Sequence, residues 1–261
     1  MSTTDDGALA AAELDGFALK PTECDLRRAA DLSPGLLVVD YEGRDHLPDD
    51  GTLRDLAAER DLRVTVPVRA DGFDPLGDDG RARALPDGAG RVLVAGSPAY
   101  LSERERRRAV APRLGAAREA WPDAWVGTEG IERLALAAGG PQFELLSRTT
   151  ARDVRALRAA GFEGTVALYA PVVPTDRDDA VLDAVGAYVA RREPVARRLP
   201  DGARTDADAT DPARSVLLDA AADYALVGTP RGIGERIGRL RETGVDLVVG
   251  YPAGGMASLR R

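Results

Sequence analysis

Short apolar segments rich in β-branched residues alternate with amphipathic stretches along almost the whole chain. The apolar segments have the length of buried strands, and the stretches between them carry apolar residues at helical spacing. This alternation is typical of parallel strands joined by helical crossovers. The pattern predicts eight strands, at residues 16–20, 35–40, 62–68, 91–95, 124–127, 143–147, 165–170 and 246–250.

The amphipathic stretches predict helices between these strands, and local signals mark some of their ends. Ser102 and Glu105 have the spacing of a capping box, whereas Gly161 and Gly244 stand where C-terminal helix caps are expected. Thr229 followed by Pro230 favours a capped helix start over a phosphate loop, because the segment lacks the P-loop lysine. The helices are expected at residues 52–60, 102–121, 131–138, 151–160, 178–191 and 232–242.

Eight strands without a glycine-rich turn after the first favour a closed barrel over an open doubly wound sheet. We therefore expect an α/β fold of the (β/α)8 type. The length of 261 residues suits a single domain covering residues 1–261. Two segments rich in Gly, Asp, Pro or Thr, at residues 71–90 and 199–212, interrupt the alternation and are expected to be irregular excursions.

Composition limits the location of the protein and its chemistry. The sequence contains no apolar run long enough to span a membrane, and Asp5 and Asp6 stand where a secretory signal would be positive. We therefore expect a cytoplasmic protein without a membrane partner. Cys24 is the only cysteine and His46 the only histidine, so internal disulfides and mechanisms that need two histidines within one chain are excluded.

The net charge of −8 comes mainly from aspartate, and Lys20 is the only lysine. This balance is typical of extreme halophiles, although a GC-rich genome also favours arginine and aspartate. No basic stripe is available to neutralise phosphates, so we expect no nucleic-acid partner. The expected partner is a small-molecule substrate, and the sequence leaves homo-oligomer formation open.

Three segments carry a resemblance to a known family. Residues 226–249, which begin Leu-Val-Gly-Thr-Pro, resemble the closing segment of luciferase-like proteins, where a helix opened by Gly-Thr-Pro leads to the last barrel strand. Residues 125–146 and 91–100 are similar to earlier strand-and-glycine-turn units, and Asp45-His46 is similar to a pair that often ends the second strand. The chain resembles a divergent, haloarchaeal member of this family of flavin- or deazaflavin-dependent oxidoreductases.

The resemblance implies an FMN or deazaflavin cofactor and a small organic substrate. In such barrels the functional residues lie where the strands end. His46 is the candidate catalytic residue, because an imidazole changes protonation near neutral pH. The turn that follows the fifth strand opens a helix, so its N–H groups are candidates to hold a cofactor phosphate, with an N-cap role for Thr128 as the alternative. The candidate cofactor-binding residues are Asp45, Gly96, Ser97, Gly127, Thr128, Glu129, Gly130 and Ser147.

One departure from the family leaves the activity open. Several deazaflavin enzymes of the family have a glutamate close behind the fourth-strand glycine turn, whereas here Glu103 follows Gly96 only on the next helix. A degenerate, non-catalytic barrel that binds a ligand or partner is therefore an alternative. A metal-dependent lyase or aldolase that uses Asp40 and Glu129 is a second alternative. The sequence thus leaves open whether the chain is an enzyme.

Overall fold

A computed structural model describes residues 13–31 and 35–255. The described chain alternates strands with helices, as the sequence pattern predicts. Four of the nine described strands are buried along their whole length, as expected for parallel strands covered on both faces. The strands are β1 Gly16–Leu19, β2 Leu36–Val39, β3 Asp61–Pro67, β4 Gly90–Val94, β5 Trp125–Gly127, β6 Gln142–Leu145, β7 Val166–Val173, β8 Leu226–Val227 and β9 Leu247–Pro252.

The helices differ widely in length. Two short 3-10 helices, Leu26–Asp31 and Arg44–His46, follow β1 and β2. One long helix, α7, runs through Asp178–Val181, a π-helical turn at Leu182–Gly186, and Ala187–Ala190. The remaining helices are α1 Asp50–Glu59, α2 Gly80–Arg83, α3 Glu103–Arg106, α4 Val110–Ala120, α5 Glu132–Ala138, α6 Thr150–Ala159, α8 Glu193–Ala196, α9 Ala213–Tyr224 and α10 Pro230–Arg241.

The sheet closes on itself. Strands β1 to β6 pair in sequential order, β6 pairs with β7, β7 with β9, and β9 returns to β1. All pairings whose register is defined are parallel. The fold is a closed, eight-stranded (β/α)8 barrel, which confirms the predicted fold class and its sequential strand order.

Each of the eight predicted strands corresponds to one strand of the barrel. The ninth strand, β8, was not predicted. It has only two residues, and it pairs with the end of β7, where Leu226 lies beside Val172. Segments this short carry no periodicity of their own.

The predicted helix caps are confirmed. Ser102 and Glu105 form a capping box, and the Thr229 side chain accepts a hydrogen bond from the Gly232 N–H at the start of α10. Gly161 and Gly244 both have positive φ just beyond a helix end. The prediction of one helix over residues 102–121 was wrong, because the chain breaks between α3 and α4. Helix α9 was not among the predicted helices.

Packing is concentrated in two units, which are described separately. The first comprises Gly16–Glu144 and Glu163–Ala167. Its core joins β3, β4 and β5 to α4 and α5 through buried side chains. The largest contributors are Tyr41, Val66, Phe73, Leu93, Leu101, Leu114 and Val126.

Among the described residues, the second unit comprises residues 13–15, Leu145–Phe162 and residues 168–255. Its core joins α7, α8 and α9. Helix α9 contributes Ala213, Val216, Leu217, Ala220, Ala221 and Tyr224, which lie on one helical face. The π-helical turn of α7 accommodates the segment after α8, since the Thr205 carbonyl lies against Gly186 and the Asp183 side chain accepts a hydrogen bond from Ala207 N–H at 2.9 Å.

The two predicted excursions are largely turns. In residues 71–90, α2 is the only helix and Gly90 is the first residue of β4, yet Phe73 and Ala82 are buried in the core of the first unit. Residues 199–212 contain turns and bends, with Ala209 buried. The assignment of residues 1–261 to a single domain stays a prediction.

We expect Gly186→Ala to destabilise the protein by about 2–3 kcal/mol. An added Cβ at this position would lie 1.9 Å from the Thr205 carbonyl oxygen, so the π-helical turn or the segment at residue 205 must move. Chemical denaturation at equilibrium measures the loss of unfolding free energy.

Gly238→Ala is the matched control. Gly238 lies inside α10 with nothing within 4 Å of an added Cβ, and alanine favours helix. We expect this variant to be unchanged or more stable by up to about 1 kcal/mol. Equal stability of the two variants would contradict a close contact at Gly186.

Candidate functional site

A cleft of about 430 Å³ lies at the ends of β2 and β4. It is lined by residues 41–46 together with Ala99, Tyr100 and Leu101. These segments follow the C-terminal ends of their strands, which is the end of a (β/α)8 barrel that carries function. We call this feature the β2–β4 cleft.

Aromatic side chains form part of this cleft. Tyr41 is buried, and its ring meets Phe73 edge-on, with ring centroids 5.4 Å apart and an interplanar angle of 75°. Tyr100 lies 6.4 Å from Tyr41 at 87° and is 40% exposed. Burial raises the pKa of Tyr41, although Arg44 opposes this, so the phenol stays protonated at neutral pH. The cleft therefore combines an apolar aromatic surface with a neutral hydroxyl group.

An arginine ties the short helix that ends at His46 to the segments that follow β3 and β4. Arg44 Nη2 lies 3.2 Å from Glu105 Oε1 and donates to the Asp71 carbonyl at 3.1 Å. Glu105 belongs to α3, which follows the turn after β4. The segment after β2 is therefore held to the segments after β3 and β4.

Glu105 is the most extensively bonded carboxylate at this end of the sheet. Its side chain is 7% exposed and accepts bonds of 2.7 Å from Asp71 N–H, Ser102 N–H and the Ser102 hydroxyl. Burial would raise the pKa of this carboxyl, but the hydrogen bonds from Asp71 and Ser102 outweigh it and lower the pKa. Glu105 therefore stays ionised and keeps its four partners at neutral pH.

Further ion pairs hold the loop after β3. Asp71 contacts Arg104 and Arg108, and hydrogen bonding to Arg108 is the main reason that the pKa of Asp71 is lowered. Asp74 is buried and forms ion pairs with Arg108 at 3.2 Å and Arg113 at 2.9 Å. Buried carboxylates need such partners, so this loop is fixed although it has little regular structure.

The structure brings two of the predicted site residues into the cleft. Asp45 and His46 both line it and are both exposed. Gly96 and Ser97 lie in the turn that leads from β4 to the lining residues 99–101. The Gly96 carbonyl accepts Arg69 Nη2 at 2.9 Å, and the Ser97 hydroxyl accepts Ala99 N–H at 3.3 Å. These two residues shape the turn and are not among those that line the cleft.

The turn after β5 differs from the expectation for a phosphate site. Helix α5 does not open at Gly127 but begins at Glu132, and Thr128 is not its N-cap. Thr128 N–H donates to the Phe143 carbonyl at 3.1 Å, and Gly130 N–H donates to Glu132 Oε1 at 3.1 Å. The Thr128 hydroxyl donates to Glu144 at 2.8 Å. Two of the N–H groups that were candidates for a phosphate therefore have partners, and carboxylates surround the turn.

Gly127 lies inside β5 and packs closely on the neighbouring strand. An added Cβ would lie 2.7 Å from Val94 Cγ1. A bulky substitution would therefore disturb the sheet itself. Ser147 lies beyond β6 in the second packing unit, where its N–H donates to the Thr150 hydroxyl at 2.8 Å before α6. The cofactor-binding roles of Gly127, Thr128, Glu129, Gly130 and Ser147 stay predictions.

Sequence reasoning missed several residues of the cleft. Tyr41, Glu42, Arg44 and Tyr100 were not singled out, although three of them immediately follow the predicted second strand. Glu42 is buried and accepts the Thr22 N–H at 2.9 Å and its hydroxyl at 2.5 Å. A buried acid cannot be distinguished from a surface acid by sequence alone. Glu105 was identified only as a capping residue.

Two features are absent from the described residues. Among residues 13–31 and 35–255, no three His, Cys, Asp or Glu side chains are grouped so that they could hold a metal ion. In the same part of the chain, no helix has the length and apolar character needed to cross a membrane.

Comparison with known proteins places the sequence in a family. Residues 9–259 match the model described as "Family of unknown function (DUF7388)". The chain belongs to this family. No curated protein sequence matches the chain.

Solved structures similar to this DUF7388 protein share its fold. An F420-dependent secondary alcohol dehydrogenase, solved with an F420–acetone adduct, matches with a TM-score of 0.61 and 12% identity, covering 95% of this chain and 100% of that one. The structure of apo-MsnO8 matches with a TM-score of 0.58 and 14% identity, covering 94% and 95%. Identities this low establish a common barrel architecture and nothing finer.

We expect Glu105→Gln to lower the unfolding free energy of this DUF7388 protein by about 2 kcal/mol at neutral pH, because it weakens a buried, fully bonded carboxylate. The lowered pKa also has a consequence for pH dependence. The contribution of Glu105 is complete above the ordinary glutamate pKa of 4.5 and is lost as the pH falls further.

Urea denaturation between about pH 7 and pH 3 tests this expectation. The parent protein should lose more stability on acidification than Glu105→Gln does. Glu103→Gln, at an exposed position on the same helix, is the control and should change stability by less than about 0.5 kcal/mol. Parallel pH curves for the parent and Glu105→Gln would contradict the assigned role.

Proposed function

We propose that this chain is a luciferase-like oxidoreductase that binds a flavin or deazaflavin in the β2–β4 cleft and acts on a small organic substrate. The observation that carries the proposal is that His46 and Tyr100, which come from segments after different strands, line one cleft at the C-terminal end of the sheet. The barrel shared with the F420-dependent alcohol dehydrogenase supports it at the level of architecture.

The ring portion of such a cofactor fits the cleft. A volume of about 430 Å³ lies within the range of small-molecule sites, and Tyr41 and Tyr100 offer aromatic surface to a planar ring. The phosphate portion does not fit at the turn after β5, because the N–H groups of Thr128 and Gly130 are already bonded and Glu132 lies beside them. We therefore assign no anionic group to that turn.

A bound flavin or deazaflavin would supply hydride transfer. The residues of this chain would bind and orient the substrate and move a proton. His46 is the candidate for proton transfer, because it is exposed and lines the cleft, and histidine is the side chain that most often transfers protons in enzymes. Tyr41 would offer a neutral hydroxyl group. Arg44 would hold the short helix that carries His46, through its ion pair with Glu105.

The composition supports a halophilic, cytoplasmic setting. The charge of −8 with one lysine suits a surface that stays hydrated in concentrated salt. The Debye length in molar salt is about 3 Å, so recognition in the cleft would depend on contacts at short range. Binding experiments should therefore be carried out in high salt.

Titration with FMN and with the deazaflavin F420 in high salt tests the proposal. We expect saturable binding of at least one of them and about tenfold weaker binding by Tyr100→Ala, which removes aromatic surface. Leu136→Ala is the matched control, because Leu136 is similarly exposed, at 47%, and does not line the cleft. It should bind as the parent does.

His46→Ala separates catalysis from binding. With a substrate that is turned over, we expect a fall in kcat of about a hundredfold and little change in cofactor affinity, since an imidazole that moves a proton acts mainly in the transition state. Equal losses in affinity and kcat would contradict this role for His46.

A non-catalytic ligand-binding barrel is the second candidate. The acidic turn after β5 favours it, because two N–H groups that a cofactor phosphate would need are bonded within the protein. If neither cofactor binds at up to about 1 mM, which corresponds to about 4 kcal/mol, this second function replaces the first. The metal-dependent lyase alternative gains no support from the described residues.

A further inference from the structure

A second pocket lies at the other end of the sheet, where β3 and β4 begin and the chain enters β5. Its volume is about 380 Å³, and it is lined by Asp61, Arg63, residues 88–91 and residues 120–124. We call it the basal pocket. The proposed cofactor site lies at the opposite ends of the same strands, so this pocket is independent of it.

Both tryptophans of the chain stack against arginines at the basal pocket. The Arg63 guanidinium carbon lies 4.0 Å from the centroid of the Trp125 ring. The Arg91 guanidinium carbon lies 5.0 Å from the Trp121 ring, and Trp121 lines the pocket. Such stacks hold flat cations against flat apolar surfaces. The pocket thus contains two oriented guanidinium groups.

The positive charge of these two arginines is poorly compensated. Arg91 donates to the Ala82 carbonyl at 2.9 Å and to the Ala89 carbonyl at 3.3 Å, and within the described chain no carboxylate lies in ion-pair range of it. Burial lowers the pKa of Arg91, and the negative charge of Asp87 opposes this only in part. Buried guanidinium groups normally have a carboxylate or another anion as partner.

Arg63 is also under-bonded. Its side chain is 18% exposed, and its hydrogen bond to a described residue runs from Nη2 to Asp61 at 3.3 Å. Its Nε is buried and has no acceptor among the residues that the structure describes. Asp61 is itself 55% exposed, so water screens this pair. Asp123, the other carboxylate of the lining, is exposed as well.

The remaining surface is small and apolar. Ala89, Ala120, Trp121, Pro122 and Ala124 line it. Gly90 leaves room for the arginine, because an added Cβ would lie 3.0 Å from Arg63 Nη1. A guanidinium group pairs with a carboxylate through two parallel hydrogen bonds, and indole and guanidinium planes stack on flat rings. We propose that the basal pocket binds a small aromatic carboxylate.

Nuclear magnetic resonance of the ¹⁵N-labelled protein tests this proposal directly. The chain has two tryptophans, so its spectrum contains two indole N–H signals, and Trp121→Phe assigns them. Titration with benzoate is expected to shift the Trp121 signal saturably. Benzamide has the same shape without the charge, and it is expected to cause a shift at least tenfold weaker at equal concentration.

Two substitutions should change benzoate affinity in opposite directions. Arg63→Gln removes the under-bonded guanidinium and should weaken binding at least tenfold. Asp61→Asn removes the carboxylate that competes for Arg63 and should strengthen binding severalfold. Arg54→Gln, at an exposed position on α1, controls for a general effect of charge and should leave the affinity unchanged.

Three results would overturn the proposal. They are no saturable shift with benzoate at up to about 10 mM, an equal response to benzamide, or weaker binding by Asp61→Asn. If Arg63→Gln does not fold, two other results still decide the question. They are the stronger binding of benzoate expected for Asp61→Asn and the weaker shift expected with benzamide. In any overturning case, the arginine–tryptophan stacks serve packing alone.

Discussion

A parallel sheet that closes on itself has no edge, so each strand of the barrel pairs with a neighbour on both sides. This closure makes the strands a buried core: β1, β2 and β7 are buried at every residue. Polar chemistry is therefore confined to the segments that enter and leave the strands. Both the β2–β4 cleft and the basal pocket follow from this constraint, because each lies at one end of the same group of strands.

At these strand ends, arginine supplies the basic side chains, a role that lysine shares in most proteins. Arg44, Arg69 and Arg118 each donate to backbone carbonyls of loops that follow or precede strands. A guanidinium has five donors in a fixed plane, so one side chain can satisfy several carbonyls that have no partner in the sheet. Side-chain contacts therefore fix these loops, which have little regular secondary structure. In the loop after β3, for example, Asp71 and Asp74 both form ion pairs with Arg108.

The sequence was sufficient to predict the barrel because each strand is a buried run and each helix has an apolar face. The helix caps were also predictable, because their signals are local: Ser102 with Glu105, and Thr229 with Pro230. Helix α9 has a clear apolar face at residues 213, 216, 217, 220, 221 and 224, and it could have been recognised. The break between α3 and α4 also had a signal, because Pro112 is unsuited to the interior of one helix over residues 102–121 but fits the first turn of α4.

The candidate site was less predictable, because it depends on contacts between distant segments. Asp45 and His46 were identified from a local pair, but the partner of the neighbouring Arg44 is Glu105, on a helix that follows a different strand. The turn after β5 has the composition of an anion site, and only the hydrogen bonds of Thr128 and Gly130 reveal otherwise. Composition cannot show which N–H groups already have acceptors.

Strand β3 connects the two ends of the molecule at which ligands have been inferred. Arg63 lies near its start, and two residues later the Thr65 hydroxyl accepts the Tyr41 N–H at 2.5 Å, just where the chain enters the cleft. The strand is hydrogen-bonded to both neighbours along its length and so is stiff. Because Arg63 and the Thr65 contact to Tyr41 belong to the same strand, a substitution that distorts β3 would disturb both ends of the barrel at once.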